Sequence, residues 1–344
     1  MAQVQLCPSL FPDDTSACNP NNCNLVIYSD NLMHTGPDFV DSFNDTRVNT
    51  HTLPPHSELE AALTETLDLG LDFENIVLDP TSCQIQIKDL RDNRDLGTFD
   101  FIDDLQVTAK LFFNEYLDFA SVERFEKYIL DAISLITQHL KVGTVHRLIL
   151  SFPNITSSVS NQSYDLFQAA FIKLLAKIEK LHSNKLVENL GVADFSFEQL
   201  RALQLLAPKL LPNINQINVS NAQSIDTALV DFCSSNSIEL LAHKDSYTTI
   251  TSNPSKPDPS KLRDCSQAGS DTQSSSFNEI PLLSSQFFTN LKKSNYFKLI
   301  APKTSNTMLP ISITPSFVIK YTAIIKNRSI IRSKGYISSL QSQF

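Results

Sequence analysis

Glycine is scarce in this chain, with 7 among 344 residues, against an ordinary share of about 7%. That scarcity argues against Gly-rich phosphate cradles, and neither GxGxxG nor GxxxxGKS/T occurs. Six cysteines (Cys7, Cys18, Cys23, Cys83, Cys233, Cys265) are scattered without a CxxC pair. Such spacing argues against a disulfide framework or a zinc site and fits a reducing compartment. The opening Met1-Ala2-Gln3-Val4 lacks a basic stretch leading into an apolar core, so no secretory signal is expected. No apolar run approaches the roughly 18 residues of a membrane span. A cytoplasmic chain with no membrane partner is the expectation. Positive charge is short as well: 28 Lys and Arg against 37 Asp and Glu give a formal net charge of -9. This disfavours a nucleic-acid partner, and solubility is the simplest account of the acidic excess.

What the chain does have is apolar material. Its 42% hydrophobic content and 22 Phe can fill a large core, and the length allows one barrel or two smaller domains. Residues 1–23, rich in Pro, Asn and Asp, read as a flexible tail. Residues 24–28 read as a short apolar strand before the turn residues Ser29-Asp30-Asn31. A helix is expected over 57–70, capped by Ser57 with Glu60, with Leu59, Ala62, Leu63 and Leu67 on one face beside Thr66. Residues 75–102 read as a strand plus irregular structure.

From Leu105 the pattern becomes regular. Strands are expected at 105–113, 147–152, 186–192, 214–219 and 238–242, and helices at 121–140, 164–182, after Ser196, and at 224–235. Alternation at this pace indicates parallel βαβ units. Ser196 and Gln199 have capping-box spacing, with Phe195 and Leu200 as a hydrophobic staple. Residues 246–279 break the rhythm with Ser, Thr, Pro, Asp and Gln. Such composition buries too little surface to offset ordering entropy, so a disordered insertion is expected. The last element spans 317–337, and 338–344 reads as a C-terminal tail. The expected fold is α/β, a single (β/α)8 barrel over 24–337 interrupted by the insertion.

A (β/α)8 barrel places its chemistry at the C-terminal ends of its strands. Those ends carry Lys110, Ser151, Ala193-Asp194, Gln216 and His243. The order of Lys110, Gly191-Val192-Ala193-Asp194-Phe195, Asn215-Gln216 and Ala242-His243 resembles the aldo/keto reductase family. The resemblance implies a Tyr proton donor, a Lys that lowers its pKa, an Asp paired with that Lys, and a His that orients the carbonyl. Together they supply general acid catalysis opposite a nicotinamide hydride donor. Lys110, within Val107-Thr108-Ala109-Lys110-Leu111, takes the place of the Lys. The other positions depart. Ser151 stands where the His would be, and no Tyr follows Asp72 or Asp79 until Tyr116. Ala193-Asp194 replaces the Ser-Asn pair that would hold the nicotinamide amide, His243 replaces a stacking aromatic, and Gln216 alone is kept.

One branch of that superfamily has lost its chemistry in the same way. The chain resembles the regulatory (modifier) subunits of glutamate–cysteine ligase through several ordered segments. They are His56-Ser57-Glu58-Leu59, Thr108-Ala109-Lys110-Leu111-Phe112, Asn215-Gln216-Ile217-Asn218, and Ile238-Glu239-Leu240-Leu241-Ala242-His243-Lys244-Asp245. The most specific is Tyr321 to Ile337, ending in Ile330-Ile331-Arg332-Ser333-Lys334-Gly335-Tyr336-Ile337. The tail and the insertion depart from the family pattern. The resemblance implies a non-catalytic partner of the catalytic ligase chain in a heterodimer. Such subunits improve apparent affinity for glutamate and ATP and weaken feedback inhibition by glutathione in glutathione biosynthesis.

Each residue singled out also has a plainer account. Lys110 is a vestige of the tetrad or a strand-end lysine paired with a carboxylate. Gln216, His243 and Lys334 are the candidates for contact with NADP(H), which the regulatory reading does not require. Asp245, Arg332, Lys334 and Tyr336 are candidates for partner contact, although Lys326, Arg328, Arg332 and Lys334 equally describe a solvated basic face. Cys265 is the candidate for exposed thiol chemistry, and Cys233 reads as a core residue. No metal spacing is present around His51 or His56. The alternative function is an NADPH-dependent reductase of a small carbonyl, drawing its proton from Tyr28 or Tyr116 and holding the cofactor through Gln216 and Lys334.

Overall fold

Five strands in the middle of the chain lie side by side in sequence order, joined by helices. They are β4 (Leu105–Phe113), β5 (Val145–Ser151), β6 (Val187–Ala193), β7 (Ile214–Asn218) and β8 (Glu239–His243), all mutually parallel. The structure is a computed structural model. It describes residues 24–29, 31–32, 55–69, 76–79, 84–88, 104–153, 161–219, 225–243, 245, 283, 287–288, 291, 312–326 and 328–343. The expected tail at 1–23, the insertion at 246–279 and Cys265 lie outside these residues.

Between the parallel strands run α2 (Val122–Leu140), α3 (Asn161–Ser183), α4 (Phe197–Leu206) and α5 (Thr227–Ser235). Helical spacing put the right side chains inward. Val122, Phe125, Ile129, Ala132, Ile133 and Ile136 of α2 are all buried. Helix α4 opens with the expected capping box, in which Gln199 N donates to Ser196 Oγ at 3.3 Å and Ser196 N donates to Gln199 Oε1 at 2.8 Å. Phe195 and Leu200, the staple pair, are both buried. A 3-10 turn at Pro208–Leu210 follows α4.

Helix α1 (Pro55–Leu69) begins before the expected start. Ser57 therefore lies inside the first turn instead of capping it. Proline suits a first helical position because its missing N–H has no intrahelical role there. Its buried stripe is the expected one: Leu59, Ala62, Leu63, Thr66 and Leu67. The stretch read as one strand plus irregular structure holds two short antiparallel strands, β2 (Ile76–Asp79) and β3 (Gln84–Ile87).

The described residues form one mixed α/β sheet of ten strands, ordered β2-β3-β1-β10-β9-β4-β5-β6-β7-β8, where β1 is Asn24–Tyr28. The expected eight parallel strands are not what they show. Strands β9 (Ser312–Ile325) and β10 (Ile330–Gln343) form a long antiparallel hairpin between β4 and β1. Residues 338–343, read from the sequence as a tail, continue β10, with Ser338, Ser339 and Leu340 buried. Alternating apolar residues mark a strand without fixing its direction or partner, which is why the hairpin was not legible.

The sheet separates two cores. On one face, α2–α5 cover Val26 and Tyr28 of β1, Val107 to Phe113 of β4 at alternate positions, and Phe317, Ile319 and Tyr321 of β9. On the other, α1 with Leu283, Phe287 and Leu291 covers Leu25, Ile27, Ile85, Ile87, Val318 and Tyr336. The parallel part is strongly coiled. Arg147 of β5 reaches Glu239 of β8, three strands away in order, at 3.1 Å. A flat sheet would hold such strands about 14 Å apart at roughly 4.8 Å per strand.

Candidate functional site

The C-terminal ends of β4–β8 gather on the concave side of this coil. Lys110 projects from β4 and is 4% exposed. Directly across the antiparallel pairing sits Lys320 of β9, so two ammonium groups face each other on adjacent strands. Opposed like charges destabilise such a pair. Asp245, just beyond β8, offsets this by accepting from Lys110 Nζ at 3.0 Å and from Lys320 Nζ at 2.7 Å. Burial pushes its carboxyl up, but the two ammonium groups outweigh burial and hold it at about 2. Burial lowers Lys110, and Asp245 opposes that shift.

A second pair adjoins the first. His243 Nε2 lies 3.0 Å from Asp194 Oδ1, and Asp245 N donates to His243 Nδ1 at 3.2 Å. These partners assign the imidazole proton to Nε2. Asp194 is positioned by a left-handed backbone, φ 63°, a conformation that Asp tolerates better than most residues. Its Oδ1 also accepts from Asn218 N at 2.8 Å. Asn218 Nδ2 in turn donates to the Asp245 carbonyl at 2.8 Å. Among the described residues, Lys110, Lys320, Asp194, His243 and Asp245 are thus each committed to another residue of the chain.

Gln216 differs. Its Oε1 is buried without a hydrogen-bond partner among the described residues, as is Oδ1 of the neighbouring Asn215, whose Nδ2 donates to the Phe195 carbonyl. Ser151 is buried at the end of β5.

The C-terminal candidates lie on the other side of Lys320. Tyr336 is buried, and Lys320 Nζ stands 5.7 Å from its ring centroid. Burial, followed by the carboxylates of Glu58 and Asp245, pushes its phenol far up. A catalytic tyrosine needs the opposite shift. Lys334 is bound to Glu58 of α1 at 2.7 Å, and Arg332 contributes its carbonyl to Asn31 Nδ2 at 3.1 Å. Tyr336 is therefore an interior residue, and the half-buried Asp245 has its carboxylate taken up by Lys110 and Lys320. The alternative proton donors lie elsewhere. Tyr28 sits in the helix-side core beside His139, with its phenol raised by burial, and Tyr116 is exposed.

Sequence reasoning identified Lys110, His243 and Asp245 but missed how they meet, and it missed Lys320 altogether. A signal was available: Lys320 interrupts the apolar run Phe317-Val318-Ile319 ahead of Tyr321. The described thiol, Cys233, is buried, which raises its pKa. No helix among the described residues is long and apolar enough to cross a membrane.

No known family pattern matches the sequence, and no characterised protein resembles it significantly. Partial likenesses occur among solved structures. An aldo/keto reductase from Brucella melitensis is 20% identical, covering 39% of this chain and 44% of its own, with a TM-score of 0.28. A silkworm (Bombyx mori) aldo-keto reductase is 20% identical, covering 42% of this chain and 41% of its own, with a TM-score of 0.27. The NADPH complex of an enzyme of that description is 16% identical over 55% of this chain and 45% of its own, also at 0.27. The chain spans less than half the length of these structures. Scores this low do not establish a common overall fold.

Proposed function

We propose that this chain is a non-catalytic regulatory subunit of glutamate–cysteine ligase, a cytoplasmic protein forming a heterodimer with the catalytic chain. Its frame on this reading is an aldo/keto reductase-type (β/α)8 barrel whose reductase site has been turned to structural use. One observation carries the reading: Lys110, the cation that a reductase would use to acidify a tyrosine, is shared with Lys320 by Asp245. Tyr336, whose ring lies 5.7 Å from Lys320 Nζ, is shifted away from acidity. Two segments of the family resemblance, around Glu58 and around Lys334, also meet in an ion pair. The regulatory effect follows from linkage: a partner that binds the active conformation of the ligase better shifts the population toward it.

An NADPH-dependent reductase is the second reading, and the unpartnered Gln216 Oε1 favours it, since an amide donor would satisfy that atom. The remaining residues fit a nicotinamide nucleotide poorly. Lys334 is held by Glu58, and Asp194 and His243 hold each other.

The test is a ligase assay on the cognate catalytic chain, with and without this protein, at limiting glutamate and in the presence of glutathione. A lower apparent KM for glutamate or relief of inhibition is expected. No change, accompanied by NADPH-dependent reduction of a small carbonyl, would replace the proposal with the second reading.

A further inference from the structure

The parallel strands begin at the end opposite the Lys110–Asp245 cluster. There a recess of about 230 Å³ opens between the last turns of α3, the start of β6 and the 3-10 turn. Leu175, Ile178, Leu181 and Val187 are buried in its walls, and the half-buried Leu210 and Leu211 close them. Helical spacing builds one side. Leu175, Ile178, Glu179 and His182 recur on a single face of α3, so the apolar stripe passes into a polar edge.

The charged wall residues are Glu179, Glu188 and Lys209, all exposed, so charge stands at the mouth and hydrocarbon below it. Glu179 and Lys209 enter no ion pair among the described residues. Glu188 has His146 at 3.8 Å, and burial lowers the pKa of that imidazole, leaving it neutral at pH 7. His182 Nδ1 lies 3.3 Å from the Val187 carbonyl, which assigns its proton to Nδ1 and leaves Nε2 an acceptor. No three His, Cys, Asp or Glu side chains among the described residues are grouped to hold a metal ion, so Glu179, His182 and Glu188 are not a metal site.

The occupant's chemistry follows from this layout. With charge at the mouth, it enters hydrocarbon end first. A partner's lysine or arginine side chain would instead carry its charge into the apolar floor, which desolvates it without a partner. Two carboxylates and one ammonium group at the mouth complement both ends of a zwitterion: an α-ammonium for Glu179 and Glu188, and an α-carboxylate for Lys209. The volume falls below the roughly 300 Å³ at which drug-sized pockets begin. A dry cavity of about 150 Å³ takes benzene, so a ligand about half as large again fits here.

We infer that this recess binds a free aliphatic α-amino acid of leucine's size, its side chain among Leu175, Ile178 and Leu210 and its charged head at the mouth. The site lies apart from the Lys110–Asp245 cluster and goes beyond the regulatory reading, whose success or failure leaves it untouched.

The experiment titrates the full-length chain calorimetrically with leucine, glycine, isopentylamine and isocaproate. Glycine lacks leucine's side chain, isopentylamine its carboxylate and isocaproate its ammonium group. Leucine should bind about tenfold more tightly than each of the others, the effect of one lost charge-assisted bond or of the lost apolar burial. Glu179→Gln with Glu188→Gln, and separately Lys209→Met, should each weaken leucine binding about tenfold. Lys127→Met, exposed on α2, is the control and should leave binding unchanged. The ligand series on the unaltered chain keeps the test decisive if a substitution perturbs folding. Absence of leucine binding overturns the site. Equal binding of isopentylamine overturns the amino-acid assignment, and leucine binding that survives both sets of substitutions overturns its location.

Discussion

Lys110 and Asp245 stand four strands apart in the sheet order, yet their charged groups meet at 3.0 Å. Only a coiled sheet allows this, and the contact in turn fastens β8 to β4 and, through Lys320, to the hairpin. Asp245→Asn leaves two ammonium groups opposed across neighbouring strands. A loss of about 2–4 kcal/mol is expected, the upper end of which applies to buried pairs losing one partner. Lys110→Met should cost less, because Asp245 keeps Lys320. Urea denaturation of the two variants checks the order, and equal stabilities would refute the bridging role.

The same carboxyl sets an acid limit. Its folded pKa of about 2 lies below the ordinary 3.8, so its stabilisation is present above about pH 4 and is lost as pH falls through 2. Between those values Asp245→Asn should show a flatter stability profile than the parent chain.

A second pH window belongs to His139. Its Nε2 lies 2.8 Å from Tyr321 Oη, and its ring is 5.1 Å from that of Tyr28. Burial, with a small contribution from Lys88, lowers its pKa from 6.5 to about 4. Above pH 6.5 the ring is neutral in both folded and unfolded chains. Below it the unfolded chain binds the proton first, so stability drops as pH falls from about 6.5 to 4. The loss should be of order 3 kcal/mol. His139→Gln should remove this slope, measured by denaturant midpoints at pH 7 and pH 4.5. A slope that survives the substitution would assign it to another group.

The helical units were legible because their information is local. The buried stripe of α2 and the Ser196–Gln199 cap can be read from spacing alone. Pairing depends on residues far apart in sequence. Tyr336 and Lys334 read from the sequence as candidates for partner contact, with Lys334 equally part of a solvated basic face, whereas Tyr336 is buried and Lys334 is tied to Glu58 across most of the chain. Lys110 was recognised, but its carboxylate was sought ahead of its strand and comes from beyond β8. That partner depends on the coil of the sheet, which no short motif encodes.

Gly191 lets β6 lie close to its neighbours on the concave side. A Cβ there would sit 2.9 Å from Ile214 Cβ and 3.2 Å from Ile149 Cγ1. Gly191→Ala should therefore cost about 1–3 kcal/mol through overpacking. Because the nearest atom is Ile214 Cβ, trimming to Ala leaves the clash in place. Adding Ile214→Ala should lower stability further, which thermal unfolding of the single and double variants tests. Rescue by the second substitution would show that the longer Ile214 atoms were the obstacle.

Ser196 ends the strand-to-helix turn that follows Asp194, so its cap couples helix stability to the polar cluster. Its hydroxyl accepts from Gln199 N, and Gln199 returns the bond to Ser196 N. Ser196→Ala should cost about 1 kcal/mol, the usual value for a lost N-cap. Gln199→Ala alone should cost less, since the N-cap bond survives. The two losses should not add, because each bond helps to hold the geometry of the other. A double-mutant cycle in urea measures the coupling. Strict additivity would mean that the two bonds act independently and that Phe195 packed on Leu200 fixes the turn by itself.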